Sequence, residues 1–269
     1  MMRCSEIVKL IEKTYPPAYA CSWDNSGLQA GRLEKEVTRI YVALDVTKEV
    51  IHEAIQKDAD MIITHHPMLF KPLSRVTNED FTGTCVVSLL QHDICCYAMH
   101  TNYDVLGMAD LAADLIGLND RKVLDPADTG SIPEAMRISD KAEGIGRIGL
   151  LSVPLSLESC CALVKEKFGL EHVTFFGDPE KSVKTAAICP GSGRSEIMNA
   201  AAGGADVLIT GDIGHHEGLD ALANGLAVID AGHYGLEHIF VKNIMQYFTE
   251  NIAETVVFGE EVHFPSAIV

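Results

Sequence analysis

Ile62-Ile63-Thr64-His65-His66-Pro67 is an apolar, β-branched run that stops in two adjacent histidines and a proline. Such a run reads as a buried strand opening into a loop at the end of a sheet. Pro67 has no N–H to give to a ladder and biases His66 toward extended backbone, so the strand ends there. Adjacent side chains on extended backbone point to opposite sides. One site therefore rarely takes both imidazoles, and two neighbouring metal ions suit the pair better than one.

Working outward, Ile40-Tyr41-Val42-Ala43-Leu44 is a strand followed by Asp45, and Thr47 caps a helix over residues 48–57. With residues 59–64 as the next strand, this is a βαβ unit and implies a parallel sheet. Residues 85–92 read as a helix. A third strand over 94–99 delivers His100-Thr101-Asn102-Tyr103-Asp104 to a loop, and a helix over 109–116 stops near Gly117. Upstream, residues 5–14 form an amphipathic helix with Ser5 as N-cap, ended by Pro16-Pro17. The turn-rich stretch from Trp23 to Gln29 holds the only tryptophan. It reads equally well as a packed loop with Asx turns or as a neighbour of the site.

The second half repeats this layout. Residues 185–189 form a strand, Pro190-Gly191-Ser192-Gly193 a tight turn and residues 195–202 a helix. The strand Ala205-Asp206-Val207-Leu208-Ile209-Thr210 shares Ala, Asp, Ile and Thr with Ala59-Asp60-Met61-Ile62-Ile63-Thr64, at matching places. Both end in Thr and then a histidine-bearing loop, His65-His66 in one half and Asp212 with His215-His216 in the other. Ala227-Val228-Ile229-Asp230 then leads to Gly232-His233. The expectation is an α/β protein: two related three-layer α/β domains arising by duplication, with a cleft between them. Residues 117–145, broken by Pro126, Gly130, Pro133 and Gly144, read as the crossing. The domains are expected at 1–127, with the His-His-Pro loop, and 128–269, with the His-x-x-x-Glu helix, the C-terminal helix packing back on the first. Gly144-x-Gly146-x-x-Gly149 matches a dinucleotide fingerprint in letters only, because it precedes a strand and opens no helix.

Composition narrows the function. At 269 residues, 47% hydrophobic and 22% charged, the chain is an ordinary globular protein long enough for two domains. Its apolar runs are strand-sized, far short of the ~18 residues that read as a membrane span. The N-terminus carries no signal-peptide pattern, so a cytoplasmic location is expected. Eight cysteines without a Cys-x-x-Cys read as reduced, buried thiols. A formal charge of −17 and no run of Lys or Arg argue against nonspecific nucleic-acid or anionic-membrane binding.

Ligands of open α/β sheets gather at the carboxyl ends of strands. There the chain places His65-His66, His100 with Asp104, Asp212 with His215-His216, and His233 with Glu237. His233 and Glu237 are four apart at a helix start, so both reach one ion. Each residue has an ordinary role open to it: Asp104 as a helix cap, His100 in a core, His233 and Glu237 as a surface pair, His215-His216 as substrate groups. Their joint placement favours a metal site of imidazoles and carboxylates, suited to Zn²⁺, Mn²⁺ or Fe²⁺.

The ordered set Trp23-Asp24-Asn25-Ser26-Gly27-Leu28, Thr64-His65-His66-Pro67, His100-Thr101-Asn102-Tyr103-Asp104, Gly211-Asp212…His215-His216 and Gly232-His233-Tyr234…Glu237 resembles the GTP cyclohydrolase 1 type 2 homologue family, also called the NGG-interacting factor three-like family. The resemblance spans essentially the whole chain, in the short form without an inserted domain. It implies two α/β domains, a toroidal homohexamer and a dinuclear metal site in the cleft. Carried over by motif, His66, Asp104 and Glu237 hold one ion, and His65, His233 and the shared Glu237 the other. It implies a metal-dependent, GTP cyclohydrolase-like hydrolase acting on a small anionic substrate, a nucleotide or related heterocycle. His100 and His215 are then candidate proton shuttles for opening the imidazole ring of guanine. A metal-dependent phosphoesterase, and a metal-binding hexameric scaffold or metal-trafficking protein without turnover, are the alternatives. Arg194, beside the Gly191–Gly193 turn, is the nearest base for a phosphate.

Overall fold

Burial on both faces makes the apolar run around Ile62 the middle of a parallel sheet, which is why it shows no alternation. The computed structural model describes residues 1–128, 130, 132, 134–138 and 141–266, with backbone alone at 135. The chain forms two compact units. The first takes Met1–Tyr103, Glu134–Ile138 and Phe240–His263; the second takes the described residues of 104–132, 141–239 and 264–266.

The first unit's strands are β1 (Met2–Arg3), β2 (Gly27–Ala30), β3 (Glu36–Val37), β4 (Arg39–Ala43), β5 (Met61–Thr64) and β6 (Cys95–Ala98), joined late in the chain by β13 (Val256–Gly259). Its main sheet runs β13-β4-β5-β6-β2, parallel except for β2 at one edge, and β1 pairs with β3. One face of the sheet (Tyr41, Ala43, Ile62 and Cys96) packs on helices Lys48–Gln56 and Phe81–Gln91. Thr47 caps the first of these as expected, its hydroxyl accepting from Val50 N at 3.1 Å. Ser5 is not the cap of the first helix. That helix spans Cys4–Thr14, and the Glu6 carboxylate reaches back to accept from Arg3 N at 2.6 Å.

The second unit holds β7 (Asn119–Pro126), β8 (Gly144–Ser156), β9 (Thr174–Phe176), β10 (Ser182–Ser192), β11 (Val207–Gly211) and β12 (Ala227–Asp230), ordered β7-β8-β10-β11-β12-β9. Successive residues serve opposite cores. Ala186, Ile188, Val207 and Ile209 face helices Ala109–Ile116 and Leu157–Phe168. Ala187, Cys189 and Leu208 face helices Ile197–Ala202 and His215–Ala223. The unit is a three-layer α/β/α sandwich.

The two units repeat in detail. The Asp60 carboxylate accepts from the backbone N–H groups of Thr38 and Arg39, and the Asp206 carboxylate does the same for Lys184 and Thr185. Each aspartate ties the start of its own strand to the start of the preceding one. At the other end, Met99 N donates to Thr64 O and Ala231 N to Thr210 O, both at 2.8 Å. The shared Ala-Asp-x-x-Ile-Thr letters therefore mark one structural device used twice.

The structure departs from the sequence expectations in several places. Residues 119–126, expected as part of a crossing, form strand β7 against β8. It is an edge strand whose first four residues are exposed, so no apolar alternation marks it. Residues 104–127 cluster with the second unit, whereas the expected boundary is 127/128. Helix Leu157–Phe168 and strand β13 are additions to the expected elements. The Gly144–Gly149 motif lies inside β8 and opens no helix, so it forms no dinucleotide turn.

Arg147 is the second unit's buried cation. It is 4% exposed and grips Asp110 through two bonds of 3.0 and 2.7 Å, while its third nitrogen donates to the carbonyls of Gly144 and Gly146. Arg147→Ala is expected to cost roughly 2–4 kcal/mol, because it strands two carbonyls and a half-buried carboxylate. Urea unfolding should show a lower midpoint at an unchanged m-value.

Candidate metal centre

Strand β5 ends at Thr64 and the chain bends at once. Thr64 Oγ1 donates to His66 O at 2.9 Å, closing a local turn. The two histidines are therefore not on extended backbone, and their rings converge with centroids 4.9 Å apart. This corrects the expectation that they face opposite sides. His100, just beyond β6, closes the group, with centroids 5.2 Å from His65 and 5.6 Å from His66. One ring nitrogen from each of the three lies within 4.8 Å of the others, so the group could hold a metal ion.

Each imidazole is held by its other nitrogen. His65 Nδ1 donates to Met99 O at 2.8 Å; the carbonyl can only accept, which fixes the proton on Nδ1 and the lone pair on Nε2. His66 Nδ1 is 2.8 Å from Asp45 Oδ1, and His100 Nδ1 is 2.7 Å from Asp24 Oδ1. Burial raises the Asp24 pKa, but hydrogen bonds from His100, Thr101 and Ser26 outweigh it and hold the carboxyl well below the usual range. An imidazole whose Nδ1–H is given to a carboxylate or carbonyl is the form that ligates metals.

The second unit builds a matching set. Helix His233–Glu237 places His233 Nε2 at 2.9 Å from Glu237 Oε2, with Glu237 3% exposed. His233 Nδ1 is 2.8 Å from Asp212 Oδ2. With Nδ1–H engaged, the Nε2–carboxylate contact asks for a positive charge, either an imidazolium proton or a metal ion. Gly191, at φ +75°, lies directly against this pair: a Cβ there would sit 2.2 Å from Glu237 Oε1 and 3.6 Å from His233 Nε2. The Pro190–Gly193 turn is held by Thr210, whose Oγ1 accepts from Gly193 N at 2.9 Å. Asp104 opens a π-helical stretch, Asp104–Met108. Burial, then the charges of Glu196, Asp104 and Glu237, push the nearby Cys189 thiol up, so it stays protonated and unsuited to ligation.

His215 and His216 lie in the first turn of helix His215–Ala223, both exposed, with ring centroids 5.3 Å apart. Arg194 is exposed in the short turn after Gly193.

A profile of the family described as Duf34/NIF3 (NGG1p interacting factor 3) matches residues 2–266. The chain belongs to that family. Among its relatives, a Clostridium perfringens protein named GTP cyclohydrolase 1 type 2 homolog is 32% identical over 259 residues, covering 96% of this chain and 95% of the relative. A Streptococcus pneumoniae protein of the same name is 36% identical over 249 residues, covering 90% and 89%. Among solved structures, a Bacillus cereus protein related to NIF3 superposes with a TM-score of 0.92 at 25% identity, covering 100% of this chain and 99% of that one.

Sequence reasoning misses the groups that orient the imidazoles in this Duf34/NIF3 chain. Asp24, Asp45 and Asp212 back His100, His66 and His233. A signal exists for two of them, since Asp45 and Asp212 sit just past the ends of β4 and β11. Gly191, expected only as a turn residue, is the second omission. Asp24→Asn should release the His100 ring and lower stability by about 1–3 kcal/mol, because the buried carboxylate also accepts from Thr101 N, Thr101 Oγ1 and Ser26 Oγ. Metal affinity or turnover should fall by about 10–100-fold, measured by metal titration and steady-state kinetics.

Proposed function

We propose that this Duf34/NIF3 protein is a dinuclear metal-dependent hydrolase acting on a nucleotide or related heterocycle. His66, Asp104 and Glu237 would hold one ion, and His65, His233 and the shared Glu237 the other. The observation that carries the reading is the anchoring of His65, His66, His100 and His233 through Nδ1, which presents four Nε2 atoms as ligands or bases. The donor set of neutral imidazoles and carboxylates fits Zn²⁺, Mn²⁺ or Fe²⁺. Bound, such ions supply Lewis acidity and lower the pKa of a coordinated water toward ~7.

The chain's own residues do the rest. Glu237 supplies negative charge from a buried position, where it is least screened. His100, its tautomer set by Asp24, takes a proton at Nε2, and the resulting imidazolium is stabilised by that carboxylate. His215, exposed at a helix start, is the second proton carrier. Two ions against two carboxylates leave a local positive surplus that favours an anionic substrate despite the charge of −17. Among the described residues no helix is long and apolar enough to cross a membrane. The assembly that the motif resemblance implies, and that belongs to this proposal, is a homohexamer.

Elemental analysis of the purified protein, followed by turnover assays on a nucleotide panel with Mn²⁺ or Zn²⁺, tests the reading. Light scattering on the same sample reads the assembly. Two ions per chain with ring-opened or hydrolysed product supports it. Fully metallated protein without turnover of any nucleotide would replace it with the scaffold or metal-trafficking function.

A further inference from the structure

Two large aromatic side chains of the first unit stand in solvent beside the three-histidine group. Trp23 is 59% exposed and Phe70 49% exposed, with ring centroids 5.9 Å apart. Trp23 also meets the edge of His100 at 5.9 Å. Exposed rings placed together at a polar site need a reason, because burying either elsewhere would stabilise the fold.

Hydrogen bonds hold the pair in place. Phe70 follows Leu69, whose carbonyl accepts from Asn25 Nδ2 at 2.6 Å and whose N–H donates to Gln29 Oε1 at 3.1 Å. These bonds dock the segment after His66 onto the loop that carries Trp23. The same segment is locally basic. Residues 65–78 contain no acidic residue but do contain Lys71 and Arg75, in a chain of net charge −17. Both are exposed, and among the described residues neither pairs with a carboxylate.

We infer that Trp23 and Phe70 form a stacking platform for the base of a purine nucleotide whose phosphates are met by Lys71 and Arg75. This names the recognition element of the site proposed above and rests on that reading for its choice of ligand. Aromatic faces stack on any base, so the platform supplies affinity, while the two cations select the phosphorylated form over the nucleoside. The platform lies beside His100, so a stacked ring is brought to the imidazoles.

The chain has one tryptophan, so its emission reports on the platform directly. In metal-loaded full-length protein, GTP should quench Trp23 emission, and guanosine should do so more weakly. Phe70→Ala should weaken GTP and guanosine alike, by about tenfold. Lys71→Ala with Arg75→Ala should weaken GTP by about tenfold and leave guanosine unchanged. Trp23→Ala, followed by calorimetry, should match Phe70→Ala. Metal content and light-scattering mass should not change in any variant. Absence of quenching by millimolar GTP would overturn the platform. So would unchanged affinities in Phe70→Ala, or a change in assembly mass with affinity intact, which would make the aromatics a contact between copies. The two readings fail separately. Binding as described without turnover sinks the hydrolase and keeps the platform. GTP turnover with kcat/KM unaltered in these variants does the reverse.

Discussion

Gly191→Ala should empty the metal centre more thoroughly than its distance from any ligand in sequence suggests. The residue has φ +75°, where an added Cβ costs about 1–2 kcal/mol in backbone strain. The larger effect is local. The new methyl would lie 2.2 Å from Glu237 Oε1, far inside van der Waals contact, and the atom it meets is the end of a buried side chain that can swing. The carboxylate must therefore rotate away from His233. Metal affinity is expected to fall by more than about a hundredfold, since even displaced outer partners cost about 10–100-fold. Gly204→Ala is the control. It has a similar φ of +79°, and its new methyl would find nothing within 4 Å, so it carries the strain without the collision. It should lose comparable stability in urea and keep its metal. Equal metal loss in both variants would show that backbone strain, not the Glu237 contact, is responsible.

On the proposed dinuclear reading, Glu237→Gln should lose most of both ions, whereas Asp104→Asn should chiefly empty one. The substitution keeps the shape of the side chain but removes the charge that offsets repulsion between two cations. Elemental analysis decides it. A Glu237→Gln protein that still binds two ions per chain tightly would remove the bridging role.

The parallel α/β architecture is legible in the sequence because its signals are local. β-branched runs ending in Thr, a capping Thr47 and the repeated Ala-Asp-x-x-Ile-Thr letters each express constraints within a few residues. The residue types at the strand ends also announce imidazole and carboxylate chemistry. Family membership follows from the same motifs.

Tertiary structure decided what depends on partners distant in the chain. Edge strand β7 needs β8 to exist, and β13 joins β4 from the far end of the sequence, so neither carries its own pattern. His65 and His66 converge because Thr64 closes a turn, a choice the letters His-His-Pro leave open. Asp24 reaches His100 across 76 residues, and Asp45 and Asp212 each reach a histidine 21 residues on. Sequence alone determined which chemistry the strand ends could offer, because side-chain type is intrinsic. Only the fold decided which nitrogen of each imidazole faces the site, because that is set by a hydrogen bond to a group that sheet register brings near.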